Sequence, residues 1–383
     1  MMAKATRRRR ANGEGSLYQT KSGLWRGAVT YTDPETGTTK RSSVASRSQS
    51  VARERLTALR RQLDLGSMPV DGSLTVGDYL DRWLEALRPR VKPSTWRSHD
   101  LAVRLYLRPS LGGQRVSRLT PTDVERMMAR LQAKGHTATA RNARATLRQA
   151  LNAAVRDGAA TRNVAVLATP PRAAPREMKV LSATEVRSLL GGTEDDEHGP
   201  LLALLVLTGM RSGEAFALMW HDHDTASATL AVRGTLAKGW DGEWRRAEPK
   251  TERSRRTLPL PDAATIALRR QSANQKRKRL AAGSAWDDQG FIFTDAIGRP
   301  LRQWVVGAAL TRSLERLGLP HVRVHDLRHT AASMMLAQGV PLRTVSEHLG
   351  HAGLAITADL YVHLGEAQRR EAAEALQRAV TGR

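Results

Sequence analysis

The spacing of apolar positions changes along the chain, and each change predicts a different kind of element. Trp25 to Thr32 alternates with the two-residue period of a strand, Asp33-Pro34-Glu35-Thr36-Gly37 has the make-up of a turn, and Thr38 to Val44 alternates again. Helical spacing follows from Ser48 to Leu65, so residues 14–66 are expected to form three short strands and a helix. From Thr75, a capping residue, Val76, Tyr79, Leu80, Trp83, Leu84 and Leu87 repeat at i, i+3, i+4 and i+7, which predicts an amphipathic helix. Pro93-Ser94 opens another. Thr120-Pro121-Thr122-Asp123 is a start signal, with Pro at the first helical position and Asp in the first turn. A last helix of this stretch is expected from Thr137 to Asp157, stopping at Gly158. Leu201 to Leu207 is apolar throughout, as a buried helix is, and residues 228–260 alternate like an antiparallel sheet. The expected fold class is multidomain α+β: a three-stranded sheet with a helix, an all-α part, and a mainly helical part with a small antiparallel sheet.

Composition marks the boundaries. Leu65 to Ser73 is rich in Gly, Pro and Ser, and Thr169 to Pro175 holds three prolines that stiffen it toward polyproline II. The 383 residues are accordingly expected to divide at 1–66, 67–172 and 173–383. The formal net charge is +24, and it is uneven: +8 over residues 1–72, +12 over 73–176 and only +4 over 177–383. An excess of that size implies a polyanionic partner, nucleic acid or an anionic membrane surface. No run approaches the 18 or so apolar residues of a membrane span, and the N-terminus, with Arg7 to Arg10, lacks the apolar stretch of a secretory signal. A soluble cytoplasmic protein is the expectation. The absence of cysteine excludes a disulfide scaffold, thiolate zinc sites, iron–sulfur clusters and a cysteine nucleophile. Arg26, Lys40 and Arg41 are candidates to enter a DNA groove from the first sheet, though a small α+β module of another purpose fits that stretch as well. Arg141, Arg144 and Arg148 fall near one helical face in the segment of highest charge and are candidates for DNA contact.

Four segments of the C-terminal part carry candidate chemistry. Leu207-Thr208-Gly209-Met210-Arg211-Ser212-Gly213-Glu214-Ala215 places Arg211 just beyond a glycine that ends the apolar helix. In His325-Asp326-Leu327-Arg328-His329, His325 and Arg328 share a helix face at i, i+3, with His329 expected a further turn round. His348-Leu349-Gly350-His351 and Ala358-Asp359-Leu360-Tyr361-Val362-His363 complete the set.

In order, spacing and flanking residues these segments resemble the catalytic domain of the tyrosine recombinases, the phage-integrase family. TGMRSGEAFAL resembles the first family box and the stretch from His325 to His363 the second, with intervals of 117, 23 and 10 residues between Arg211, Arg328, His351 and Tyr361. The resemblance implies transesterification at a DNA phosphodiester through a 3′-phosphotyrosyl intermediate and a Holliday junction. On this resemblance Arg211 and Arg328 clamp the phosphate, His325 and His351 add donors or move the nucleophile's proton, and Tyr361 is the nucleophile. Lys250, in a PKT-type element, protonates the leaving 5′-oxygen, with Lys238 as its competitor, and Glu214 holds an arginine or histidine in place. Two planar guanidiniums suit this task because they match phosphate oxygens bidentately and keep their protons.

Residues 73–172 resemble the family's helical core-binding domain and residues 14–66 its arm-binding domain. The partners implied are double-stranded DNA attachment sites, a homotetramer in the synaptic complex, and a host DNA-bending protein and an excision factor. Glu366 to Val380 is expected to form an amphipathic helix that packs on a neighbouring protomer. No cofactor is implied, because the phosphotyrosine stores the bond energy. His221-Asp222-His223-Asp224 has the look of a metal site, but alternation would send His221 and His223 to opposite faces. Two other readings remain at this point: a resolvase or topoisomerase of the same chemistry, and a non-catalytic DNA-binding regulator with the same fold.

Overall fold

A short antiparallel sheet begins the described chain: β1 (Ser16–Gln19), β2 (Trp25–Thr32) and β3 (Thr39–Ser46), in that order across the sheet. The computed structural model describes residues 16–32, 37–64, 73–172, 179–248 and 255–350, with Gln377 and Thr381. Helix α1 (Gln49–Asp64) lies on one face of this sheet, where Leu56 and Leu59 pack with Val29, Leu17 and Val44. Gly27 lets the helix sit close, since a Cβ there would come within 3.1 Å of Leu56 and 3.2 Å of Val44 and those side chains would have to shift. By the pleat, Val29 and Val44 face α1 together with Lys40, whereas Arg26 and Arg41 point to the opposite, open face beside Tyr18, which pairs with Arg26. The three residues read together from the sequence therefore divide between two faces.

The helices that follow are α2 (Val76–Leu87), α3 (Pro93–Ala102), α4 (Arg108–Leu111), α5 (Pro121–Ala133), α6 (Thr137–Arg156) and α7 (Val164–Leu167). Their starts are those the sequence signals. Thr75 accepts the Asp78 N–H, and Thr120 and Asp123 close a reciprocal capping box. The apolar stripe of α2 is buried through Val76, Tyr79, Leu80, Trp83 and Leu84, against Leu147, Leu151 and Met127 from α6 and α5. The Tyr79 hydroxyl donates to Asp157 at 2.9 Å, which satisfies a polar tip in this core. Gly158 ends α6 with φ +70°.

By internal packing the chain forms two compact units, one up to Ala174 and one from Pro175. The second contains α8 (Ala183–Gly192), α9 (Gly199–Thr208), α10 (Ser212–Ala215), α11 (Asp262–Ala282), α12 (Gln303–Arg316), α13 (Asp326–Ala337) and α14 (Leu342–Leu349). Helix α9 is apolar all round because it is central, packed on both α11 and α13. The alternation over 228–260 resolves into two small ladders: β4 (His223–Asp224), β5 (Thr229–Val232) and β8 (Arg256–Pro259) in one, β6 (Thr235–Lys238) and β7 (Trp244–Ala247) in the other. Among the described residues no helix is long and apolar enough to cross a membrane.

Candidate active site

The site is assembled at the end of α9. Gly209 adopts φ +62°, its N–H donates to Leu205 O at 3.0 Å, and a Cβ at this position would lie 2.5 Å from Leu349. Glycine is needed both for the left-handed turn and for the close approach of α14. The turn delivers Arg211 as the residue that starts α10. Glu214, one turn on, accepts the Arg211 backbone N–H through Oε2 at 3.0 Å and its guanidinium through Oε1 at 2.8 Å. The other arm of that guanidinium donates to Gly350 O at 2.9 Å.

Arg328 arrives on α13. The first turn of that helix is fixed by Asp326, whose carboxylate accepts the Arg323 backbone N–H at 2.8 Å and both Nε and Nη2 of its side chain, at 2.9 and 2.7 Å. This turns Arg328 inward, where it is only 3% exposed. Its Nη1 donates to Gly209 O at 3.0 Å, whereas its Nη2 is buried with no hydrogen-bond partner among the described residues. Burial first, and the neighbouring charge of Arg211 second, push the guanidinium down to about 9, so it stays charged at neutral pH. Burial alone would raise the Glu214 carboxyl; the guanidiniums of Arg256 and Arg211 overcome it and hold Glu214 ionised below its ordinary range.

Three histidines surround the arginines. His325 precedes α13, and His329 stacks edge-on against it with ring centroids 5.0 Å apart, so the i+4 residue shares the face from which the sequence reading had turned it. Burial depresses both, with the adjacent His329 and Arg328 adding to the effect on His325, and both rings are neutral at pH 7. His348, in the last turn of α14, donates Nε2–H to Thr208 O at 3.1 Å and is likewise depressed by burial.

Arg211, Glu214 and Arg328 are thus linked through Gly209 and Gly350, with His325 at the head of α13. Lys250, His351, Tyr361 and, apart from Gln377, the helix expected over Glu366 to Val380 lie outside the described residues. Lys238 ends β6, paired with Trp244.

Two contributors escaped the sequence reading, Arg256 and His348. Arg256 Nη2 meets Glu214 Oε2 at 2.9 Å and its Nε donates to His348 O at 2.8 Å. The signal was in the pleat: Arg256 shares a face of β8 with buried Leu258, opposite buried Val232 and Leu230. A charge at an inward strand position requires a buried partner.

Among the basic residues of α6, Arg141 and Arg148 are exposed, but Arg144 donates to Ala168 O at 3.0 Å and Val166 O at 3.2 Å, holding α7. Asp222, within the His221 to Asp224 run, is fully buried and ion-paired with Arg246 at 2.9 Å. Among the described residues no group of three or more His, Asp or Glu side chains stands as a metal would need.

Residues 179–368 match the phage integrase family, and residues 75–132 the phage integrase N-terminal SAM-like domain. The integrase of Streptomyces ambofaciens is 28% identical over 366 residues, covering 92% of this chain and 93% of its own length. The tyrosine recombinase XerC of Alcanivorax borkumensis is 32% identical over 283 residues, 72% of this chain and 85% of the relative. In structure, the Tn1549 transposon integrase, solved with a circular intermediate DNA, superposes with a TM-score of 0.67 at 20% identity, over 79% of this chain and all of that one.

Proposed function

The chain belongs to the phage integrase family of tyrosine recombinases, and from that premise we propose that Arg211, Lys250, His325, Arg328, His351 and Tyr361 form its catalytic site. The protein is a site-specific recombinase that cuts and rejoins DNA strands. In the proposed reaction the Tyr361 oxygen attacks the scissile phosphorus and the bond to the 5′-oxygen breaks. The phenolic proton passes toward His325 or His351, and Lys250 gives a proton to the departing 5′-oxygen. Arg211 and Arg328 bind the non-bridging oxygens, on which charge grows in the transition state; donors of this kind are worth about 3 kcal/mol each.

The single observation that carries this reading is the Nη2 of Arg328, a buried cationic donor with no acceptor among the described residues, beside a second guanidinium. Among the described residues Glu214 is ion-paired with two guanidiniums, Arg211 and Arg256, and Arg328 adds a third charge within its field, so the site holds excess positive charge and an open donor. A phosphodiester supplies both the acceptor and the charge.

The proposed division is an arm-type DNA-binding domain over 1–66, a core-binding domain over 67–172 and the catalytic domain over 173–383. Arg26, Lys40 and Arg41 in the first and Arg141 and Arg148 in the second are the proposed DNA contacts, whereas Arg144, expected beside them, is engaged by Ala168 O and Val166 O. The N-terminal module favours the integrase of a mobile element over a resolvase, acting in the cytoplasm as a homotetramer on paired attachment sites. A host DNA-bending protein and an excision factor are proposed to assist.

The test is a nicked duplex attachment site on which cleavage traps the protein covalently, resolved on a denaturing gel. An adduct from the parent and none from Tyr361→Phe is expected. No adduct from the parent would favour the non-catalytic regulator.

A further inference from the structure

We propose that Arg256 is a positioning residue for strand cleavage: it fixes Arg211 through Glu214 and ties it to the end of α14. The inference rests on the recombinase reading above and adds a residue outside the catalytic set. Its side chain is 9% exposed and spans two acceptors on different elements, Glu214 Oε2 at 2.9 Å and His348 O at 2.8 Å. Glu214 in turn spends both oxygens on Arg211, one on the backbone N–H and one on the guanidinium. Arg211 then returns to α14 through Gly350 O.

The result is a closed ring of polar contacts: Arg256 to Glu214, Glu214 to Arg211, Arg211 to Gly350, and back along α14 to His348 and Arg256. Each of the two guanidiniums takes one carbonyl at the C-terminal end of α14, where the helix dipole is negative and cations are favoured. The ring joins β8, α10 and α14, elements far apart in sequence. It also sets where the chain leaves α14, one residue before His351 in the sequence.

A planar fork can hold both acceptors at once, whereas a neutral side chain leaves Glu214 with Arg211 alone. Oε2, which Arg256 now shares with the Arg211 N–H, is then free to pull the Arg211 guanidinium out of its bond to Gly350 O. Arg256 would thus act on the rate of cleavage with little effect on DNA affinity, because its own donors face protein rather than solvent.

The test is single-turnover adduct formation on the nicked attachment site with full-length protein at saturating concentration. Binding is measured in parallel on the intact site, for Arg256→Met, Glu214→Gln and the double variant. Cleavage by Arg256→Met should slow about 10- to 100-fold, as loss of an orienting partner typically does, with DNA affinity within about twofold of the parent. The double variant should be slowed no more than about twofold beyond the slower single, because both act through one ring. A parental rate for Arg256→Met, or effects that multiply, overturns the proposal, as does an unchanged rate accompanied by weaker DNA binding. If calorimetry shows Arg256→Met unfolded, Arg256→Lys takes its place. A point charge reaches Glu214 but not both acceptors, so cleavage should still slow about fivefold or more, and a parental rate refutes the role. Absence of any adduct from the parent marks failure of the recombinase reading itself, with which the proposal falls.

Discussion

Replacing Arg328 by Met should stabilise the free protein while removing most of its cleavage activity. A guanidinium pushed down to about 9 carries a penalty on its charged form of about 5 kcal/mol relative to water, most of it from burial. Against this, among the described residues, the side chain makes one hydrogen bond, to Gly209 O, worth about 1 kcal/mol net, and its Nη2 has no partner. Methionine fills a similar volume without the charge, and the loss is a carbonyl left without its donor, costing about 1–3 kcal/mol. The balance favours the variant by about 1–3 kcal/mol. For the unit that carries it, Pro175–Arg383, that raises the melting temperature by about 2 °C or more, given about 2–4 °C per kcal/mol. The assays are scanning calorimetry without DNA and single-turnover adduct formation with it. Cleavage should fall about 10²- to 10³-fold, the usual cost of one oxyanion donor. The outcome that would sink the reasoning is a Met variant melting below the parent, since Arg328 would then be a structural prop rather than a charge held in wait for an anion.

Other expectations follow from the same contacts. Gly209→Ala places a Cβ at positive φ and 2.5 Å from Leu349, so the melting temperature should drop by several degrees and cleavage should fall with the displaced carbonyl; an unaffected variant would show the turn to be tolerant. Arg141→Ala and Arg148→Ala should each reduce the slope of log K against log salt by about one while leaving the melting temperature unchanged. Arg144→Ala should lower it through loss of its bonds to Ala168 and Val166, and equal behaviour of the three would contradict this division. His325, His329 and His348 all titrate below their ordinary 6.5 when folded, so the unfolded chain binds protons first as pH drops. Stability should therefore be flat above about pH 7 and decline below about 6.5, with His329→Gln shallower; a midpoint constant from pH 7.5 to 5.5 would count against buried neutral rings.

Element type and most boundaries were legible because they depend on local signals. Thr75, Thr120 and Pro121 started helices where their capping chemistry predicts, and Gly158 and Gly209 ended them with positive φ. Arg211, Glu214 and Arg328 stood out through motif spacing, which needs no knowledge of packing. What escaped was set by partners distant in sequence. Arg256 is one charged residue in an alternating strand, and only the pairing of β8 with β5 shows that it faces the core. Arg144 repeats with Arg141 and Arg148, yet its guanidinium is taken by carbonyls some twenty residues away, a contact that no helical wheel displays. Lys40 differs from Arg41 by one position, and one position in a strand is a change of face.

The arrangement also explains how three like charges coexist before DNA arrives. Each guanidinium turns part of its fork toward backbone carbonyls at helix C-termini: Arg328 toward Gly209 O, just past α9, Arg211 toward Gly350 O and Arg256 toward His348 O, at the end of α14. Those carbonyls carry the negative ends of their helix dipoles and offer partial charge where Glu214 offers a whole one. A second carboxylate would hold the arginines more firmly but would cancel the field that a phosphate must meet. Carbonyls compensate enough for the protein to fold and leave the net charge positive. The Nη2 of Arg328, without an acceptor among the described residues, is where that compromise shows. On this argument, a carboxylate one helical turn from Arg328 on the same face of α13, as in Ala331→Asp, would compete for the free donor and inhibit phosphate binding. Weaker DNA cleavage is the expected result. Retained cleavage would show that the open donor is not where the phosphate binds.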